Sequence, residues 1–333
     1  MQNLIVIGDT HFGVKNNSMT WLKHQMTGFD EIISYVKESL QIFEKTTIIH
    51  VGDLFDSRSS INPIIYKYVS QKLKELNDIL EDNKMYIIGG NHDYYYPNET
   101  KHNFTGIQML PKYSNIEYLT NGFLKHDKYV MIPWFEFHNI DTLRSILKQI
   151  QKDDIIFTHT DPLHLDENLY NVIKSYKLVT GHIHTPQVIS EYNKIHQVIT
   201  GASFPIDFRD TNSARGFWNI IDKDLNTLDF HPIKSSIHFF TLDETELVNW
   251  QDRGIQEDDY VDVKIKASKI NDYEDLIKEL GGMCNVSISY IPENISIDES
   301  FKEVLNVDTI CKKLLPEELK NLYQQMIEAC QSS

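Results

Sequence analysis

The sequence predicts a layered α/β fold (of the α+β type), followed by a small α+β domain and C-terminal helices. Three observations indicate this class. Short β-branched apolar runs recur through residues 1–230, stretches of helical apolar spacing separate several of them, and the pattern changes beyond about residue 230. Strands and helices that alternate at these lengths are typical of a core in which the strands are buried.

The predicted strands of the first part are short and almost wholly apolar, as expected of strands that are covered on both faces. They are LIVI (4–7), TIIHV (47–51), MYII (85–88), YVMI (129–132), IIFT (155–158), LVT (178–180), QVIT (197–200) and FWNII (217–221). Helices are predicted at residues 29–43, 64–80 and 143–150, where apolar residues recur three and four positions apart.

Beyond residue 230 the pattern predicts strands at FFTL (239–242), VDVKIKA (261–267) and VSISYI (286–291), and a helix at DYEDLIKEL (272–280). Residues 299–330 are helical in pattern and carry an apolar stripe at Leu319, Leu322, Tyr323, Met326, Ile327 and Cys330. We therefore expect a first domain at 1–235, a small second domain at 236–295 and a helical segment at 296–333.

Composition and charge argue against several classes of protein. The three cysteines, Cys284, Cys311 and Cys330, form no CxxC pair, which suits free thiols in a reducing compartment. No apolar run approaches the roughly 20 residues that cross a bilayer, and no basic leader precedes the first strand. We expect a cytoplasmic protein without membrane association. The net charge of −16 argues against a chain that coats nucleic acid by itself.

Residues that can bind metal follow five of the predicted strands. The first strand ends in GDTH, the second in GDLFD, the third in GGNHD, the fifth in HTD and the sixth in GHIH. Glycines let the chain turn sharply, so we expect the polar side chains to converge on one edge of the sheet. The candidate metal ligands are Asp9, His11, Asp53, Asn91, His159, His182 and His184.

The mixture of imidazoles and carboxylates suits a first-row divalent ion better than Ca²⁺, which prefers oxygen ligands alone. Seven ligands are too many for one tetrahedral ion, and they suit two ions that share a bridging carboxylate. A pair of this kind holds a phosphoryl group and activates water. We expect two divalent ions, with Mn²⁺ favoured and Mg²⁺ or Fe²⁺ as alternatives. Any one motif alone is weak, since an isolated histidine is more often structural.

The ordered set GDTH, GDLFD, GGNHD, HTD and GHIH resembles the calcineurin-like metallophosphoesterase family. GDLFD, IPW (132–134), GHIHTPQ, ITGAS (199–203) and RGFW (215–218) resemble its SbcD branch, and the recombination endonuclease subunit of T4-like phages in particular. The resemblance covers residues 1–235 by specific motifs, and the remaining third only by position and pattern. It implies a β-sandwich flanked by helices, with the site at its edge.

The resemblance also implies a role for each site residue. His92 would donate a proton to the leaving oxygen or stabilise charge, and Asp56 would pair with His92 and keep it protonated. Some archaeal members carry histidine at the position of Asp56. Asp53 would bridge the two ions. One ion would be held by Asp9, His11, Asp53 and His184, and the other by Asp53, Asn91, His159 and His182.

The implied activity is hydrolysis of phosphodiester bonds at DNA ends, as exonuclease and endonuclease, in recombination and double-strand-break repair. Residues 236–295 would cap the site and steer DNA, and residues 299–330 would dock on an SbcC-type coiled-coil ATPase. The resemblance also implies a homodimer, formed through helices near the first motifs. Residues 231–333 carry 10 lysines and arginines against 20 aspartates and glutamates, so the ATPase would supply much of the DNA affinity.

Two other functions stay open on the sequence. A stand-alone phosphoesterase that acts on small phosphodiesters or phosphoproteins would use the same metal site. The extra domain, the C-terminal stripe and the GNHD loop weigh against it, because protein phosphatases of the family carry GNHE. A non-catalytic scaffold would not need the complete ligand set. The stripe at 319–330 has its own alternative, which is burial against the chain's own small domain.

Overall fold

The computed structural model describes residues 2–95, 104–191, 194–206, 214–221, 225, 227–234 and 237–291. Within these residues lie two six-stranded sheets, one three-stranded sheet and the helices that cover them. The predicted fold class is confirmed. The helix expected at 299–330 lies outside the described residues.

The first sheet contains four parallel strands with two antiparallel strands added at one side. Its strands, numbered along the chain, are β1 (Gln2–Ile7), β2 (Lys45–His50), β3 (Lys84–Ile88), β4 (Ile116–Leu119), β11 (Gly216–Ile221) and β12 (Leu228–Pro232). Their order is β12-β11-β1-β2-β3-β4. The strands β1 to β4 run parallel, and β11 pairs with β1 in the opposite direction.

The second sheet has a parallel centre between two antiparallel edge strands. Its strands are β5 (Leu124–His126), β6 (Tyr129–Met131), β7 (Ile155–His159), β8 (Lys177–Gly181), β9 (Gln187–Glu191) and β10 (Lys194–Ile199). Their order is β5-β6-β7-β8-β10-β9. The strands β6, β7, β8 and β10 run parallel.

Eight helices accompany the sheets in the described residues. They are α1 (Val14–Asn17), α2 (Met19–Ile42), α3 (Pro63–Leu80), α4 (Trp134–His138), α5 (Ile140–Leu147), α6 (Glu167–Ile173), α7 (Glu244–Val248) and α8 (Glu274–Gly281). Short 3₁₀ turns occur at Gly106–Met109, Trp250–Arg253 and Ala267–Tyr273. None of the helices in the described part of the chain is long and apolar enough to cross a membrane.

Strand β1 shows how the layers are built. Leu4 and Val6 face the second sheet, in a cluster that includes Phe157 of β7. Ile5 and Ile7 point the other way, into the cluster under α2 and α3. Because successive side chains alternate between faces and both faces are covered, the strand is apolar at every one of these positions. A third cluster lies between the second sheet and the helices α4 to α6.

The remaining sheet is small and fully parallel. It consists of β13 (Phe239–Leu242), β14 (Tyr260–Lys266) and β15 (Asn285–Ile291), with α7 and α8 packed on it. It contacts the first domain through Trp21 of α2, whose ring centroid lies 4.7 Å from that of Tyr260 and 5.7 Å from that of Phe239. The domain boundaries expected at 235 and 295 stay predictions, since 235–236 and 292–333 are outside the described residues.

Several elements differ from the sequence-based expectation. Helix α2 begins at Met19, ten residues before the predicted start, because the side chain of Ser18 accepts a hydrogen bond from Trp21 N and caps it. The sequence analysis missed β4, β5, β9 and β12. Strand β12 has no fully buried residue, so it lacks the apolar run by which the other strands were recognised.

The small domain carries a pair of groups whose charge depends on pH. The ring Nδ1 of His238 lies 3.2 Å from Oδ1 of Asp259. This hydrogen bond raises the pKa of His238 above its ordinary value of 6.5. The pair therefore stabilises the fold fully below the unfolded-state pKa of the ring, and this contribution is lost as the pH rises through the raised pKa.

We predict that His238→Gln flattens the pH dependence of stability between about pH 6 and about pH 8. The wild-type chain should lose stability over this range relative to the variant, by less than about 1 kcal/mol because the ring is half exposed to solvent. Thermal unfolding at both pH values measures the difference. Equal slopes for the two proteins would contradict the prediction.

Candidate metal centre

The parallel strands bring the predicted ligands to one edge of both sheets. The carboxyl ends of neighbouring parallel strands lie at the same edge, and each ligand belongs to the end of such a strand or to the loop after it. Asp9 and His11 follow β1, Asp53 follows β2, Asn91 follows β3, His159 ends β7, and His182 and His184 follow β8.

The first group of possible ligands consists of Asp9, His11 and His184. One ligand atom from each lies within 4.8 Å of the others. The Nε2 atom of His184 is 3.8 Å from Oδ2 of Asp9. His11 also approaches the second group, because its Nε2 lies 3.6 Å from Oδ2 of Asp53.

The second group consists of Asp53, His159 and His182, again with one ligand atom of each within 4.8 Å of the others. His159 Nε2 lies 3.2 Å from Asp53 Oδ2. Asn91 joins this group, since its Oδ1 is 2.9 Å from His159 Nε2 and 3.0 Å from His182 Nδ1. The two groups and Asn91 bring the seven predicted ligands together, and His11 links Asp53 to the first group. A third group, of His11, Asp56 and His92, also has one ligand atom of each within 4.8 Å of the others.

The backbone holds Asp53 in this position. Its carbonyl accepts hydrogen bonds from the N–H groups of Thr10 and His11, at 3.2 and 3.0 Å. Its Oδ1 accepts a 2.8 Å bond from the N–H of His92. Asp53 has a φ of 51°, in the left-handed region that residues other than glycine rarely adopt. The loops after β1 and β3 are thus both fixed to one residue of the loop after β2, and the second carboxylate oxygen of Asp53 faces His11 and His159.

The ring of His159 is oriented from outside the group. Its Nδ1 lies 2.9 Å from the carbonyl oxygen of Val51. Since a carbonyl can only accept, Nδ1 carries a proton, and Nε2 points at Oδ2 of Asp53 and Oδ1 of Asn91, where a metal ion would bind. This arrangement is the usual outer support of a metal-binding histidine.

His92 and Asp56 are in contact, but the contact is made by other atoms than those expected from the sequence. The predicted carboxylate–imidazole pair between them is not formed. Instead His92 Nδ1 donates to the backbone carbonyl of Asp56 at 2.6 Å, and the Asp56 carboxylate lies 3.3 Å from Nδ1 of His11. The GDLFD loop turns its backbone towards His92, so the side chain of Asp56 points at the neighbouring ring.

The electrostatics of the centre favour a positive charge. Burial raises the pKa of Asp9 to about 6, which reflects the cost of a carboxylate removed from water. Burial alone would lower the pKa of His159, but the carboxylates of Asp53 and Asp9 raise it to about 9. A divalent ion bound here would supply positive charge at the same place and would stabilise the ionised carboxylates of Asp9 and Asp53.

The donor atoms fit divalent ions. Nε2 of His11 is buried and makes no hydrogen bond within the described residues, with the Asp53 carboxylate 3.6 Å away, whereas Nδ1 faces the Asp56 carboxylate at 3.3 Å. A buried polar atom without a partner is costly, and a bound cation would satisfy it. The set of four imidazoles, two carboxylates and one amide oxygen suits Mn²⁺, Fe²⁺ or Zn²⁺.

Three supporting residues were missed by the sequence analysis. The carboxylate of Asp93 accepts hydrogen bonds from the N–H groups of Gly90, Leu54 and Phe55, at 2.9 to 3.3 Å, and so ties the loop after β3 to the loop after β2. Gln25 Nε2 donates to the carbonyls of Thr10 and His11, and His50 Nε2 lies 3.1 Å from Thr10 Oγ1. Of the three, only Asp93 belongs to a motif that the sequence analysis recognised, since it is the last residue of GGNHD.

The comparison with protein families agrees with this geometry. The model of the calcineurin-like phosphoesterase family matches residues 3–186, which is more than half of the chain. The matched range contains all nine site residues predicted from the sequence. A comparison with curated proteins finds no significant match.

Gly90 offers a direct test of the packing around Asp53. A Cβ atom at this position would collide with the backbone N and the Oδ1 of Asp53. We predict that Gly90→Ala displaces the carboxylate, weakens Mn²⁺ binding in calorimetry, and lowers phosphoesterase activity by at least about 100-fold. Gly281→Ala is the matched control, because its Cβ would meet only Val286 Cγ2 at 3.9 Å. Normal Mn²⁺ affinity in Gly90→Ala would contradict the prediction.

Proposed function

Because the chain belongs to the calcineurin-like phosphoesterase family, we propose that it is a DNA nuclease of the SbcD type. It would hydrolyse phosphodiester bonds at DNA ends with two divalent ions. The observation that supports this most directly is the pair of neighbouring ligand groups, one of which contains Asp53, with His92 beside them. The GDLFD, IPW, GHIHTPQ and RGFW motifs favour the SbcD branch within the family.

Two divalent ions bound here would neutralise the charge of the phosphate and supply an activated water. Mn²⁺ is the ion we favour. Asp53 would lie between the ions and keep both near one phosphate. The first ion would bind Asp9, His11, Asp53 and His184, and the second Asp53, Asn91, His159 and His182.

His92 is suited to act on the leaving group. Its Nδ1 donates to the carbonyl of Asp56, so Nε2 remains available on the other side of the ring. Its N–H group binds Asp53 Oδ1, which fixes the backbone beside the second ligand group. When the ring is protonated, Nε2–H would donate a proton to the leaving oxygen or stabilise its charge. Asp56 positions the ring through its backbone.

Two assembly partners belong to the proposal. An SbcC-type ATPase would dock on residues 299–330, whose apolar stripe is the sequence feature that supports the contact. A homodimer would form through α2 and α3. Their exposed apolar side chains support this interface, since Met19, Ile64 and Tyr68 are 50%, 47% and 41% exposed.

The first experiment is digestion of an end-labelled linear duplex by the purified chain, with Mn²⁺, Mg²⁺ or EDTA. We expect shortening that needs the metal ion and stops with EDTA. His92→Ala should abolish cleavage and leave Mn²⁺ affinity nearly unchanged in calorimetry, because His92 is outside both proposed ligand sets. Loss of both ions from this variant would show that its assigned role is wrong.

Hydrolysis of bis-p-nitrophenyl phosphate is the companion measurement. An active metal centre that hydrolyses this small diester and leaves DNA intact would contradict the nuclease proposal for the chain alone. The same digestion with the ATPase added would then distinguish a nuclease that needs its partner from a small-molecule phosphoesterase.

Deletion of residues 299–333 tests the docking segment. We predict that the shortened chain no longer co-purifies with a co-expressed SbcC-type ATPase, because the apolar stripe is removed. Hydrolysis of bis-p-nitrophenyl phosphate should persist, since every proposed ligand lies before residue 185. A shortened chain that still carried the ATPase through purification would overturn the docking assignment.

A further inference from the structure

A cavity of ≈ 280 Å³ opens beside the second ligand group. The volume is close to the lower end of the range for small-molecule sites, about 300–1,000 Å³. His182 belongs both to the ligand group and to the wall of this cavity, so a group that fills it would adjoin a phosphate held at the metals. Other residues of the wall are Trp134, His138, Thr160, Asp161 and Leu169.

Trp134 gives the cavity an aromatic wall that is fixed relative to the metal centre. Its backbone N–H donates a 2.9 Å hydrogen bond to the carbonyl of Gly89, the first residue of the GGNHD loop. Its ring lies 5.0 Å from the ring of His138, whose Nε2 is 3.1 Å from Thr160 Oγ1. Of the four tryptophans, all within the described residues, Trp134 alone is not buried.

The charged groups of the cavity disfavour a phosphate there. Among the residues that the structure describes, neither lysine nor arginine lines it, whereas Asp161 and Asp166 do. The carboxylate of Asp166 caps α6 by accepting from the N–H groups of Asn168 and Leu169, so that helix end is already occupied. Asp161 pairs with His164 Nδ1 at 2.8 Å. The cavity therefore suits an uncharged planar group better than a second phosphate.

We propose that this cavity binds the nucleobase adjoining the scissile phosphate, with the indole of Trp134 as the stacking surface. The proposal rests on the DNA substrate proposed above. Stacking on an aromatic side chain tolerates every base, because each base has a π-face. An end-processing nuclease would thereby hold an unpaired terminal base in register with the metals without reading its sequence.

The test is binding of deoxyadenosine 5′-monophosphate to the full chain in Mg²⁺, measured by tryptophan fluorescence and by calorimetry. The nucleotide should quench the fluorescence of the partly buried Trp134 indole, and 2-deoxyribose 5-phosphate, which lacks the base, should not. Trp134→Ala should bind the nucleotide at least about fivefold more weakly, and Trp134→Phe should retain most of the affinity. Tyr290→Ala, which removes an aromatic ring 58% exposed on β15, is the matched control.

Mn²⁺ affinity of each variant shows whether the centre is intact. Equal affinity of Trp134→Ala and wild type for the nucleotide would overturn the proposal, as would equal binding of the nucleotide and the sugar phosphate. If Trp134→Ala failed to fold, the comparison of the two ligands on the wild-type chain would still show whether the base contributes to binding. Failure of the proposed function is a separate result, since it would appear as wild-type protein that hydrolyses bis-p-nitrophenyl phosphate and leaves DNA intact.

Discussion

The candidate centre depends on the way Asp53 joins loops from separate strands. Its carbonyl accepts from the loop after β1, its carboxylate accepts from the loop after β3, and the same carboxylate lies beside His159 of the second sheet. The left-handed backbone at Asp53 and the absence of a side chain at Gly90 make this approach possible. The two sheets therefore meet at their carboxyl edges through polar contacts, in addition to the apolar cluster between their faces.

Much of this arrangement was predictable because the ligands are close in sequence to the ends of apolar strands. Strands buried on both faces leave a strong signal, and a ligand placed one to four residues after such a strand is carried to a known edge. Asp9, Asp53 and His159 were found in this way. The direction of a side chain within a loop is harder to predict from the sequence, because it depends on backbone angles such as the positive φ of His11 and His182.

The pairing of Asp56 illustrates that limit. The sequence places Asp56 near His92, and the structure does the same, but the contact is made by the carbonyl and not by the carboxylate. The role of Asp93 was likewise hidden, since a buried aspartate that accepts three N–H groups has the same sequence appearance as a metal ligand. Strands β4 and β12 were missed for a different reason, because a partly exposed edge strand has no continuous apolar run.

Helix α2 serves both the small domain and the metal centre. Trp21 packs against Tyr260 of the small sheet, and Gln25, one turn later, donates to the carbonyls of Thr10 and His11. Gln25, which binds the GDTH loop, therefore lies one helical turn from Trp21, which packs against the small sheet. In the proposed nuclease, this helix would set the position of the cap relative to the ions.

The hydrogen bonds of Asp93 have a consequence for how the protein acquires its ions. They join the loops after β2 and β3 through protein atoms alone, as the backbone bonds to Asp53 join the loop after β1. Where such a site is preformed, ion binding is not coupled to folding as it is in a zinc finger. The centre would exchange its ions reversibly in a folded chain, and the ion it carries would be set by the relative supply of competing metals in its surroundings.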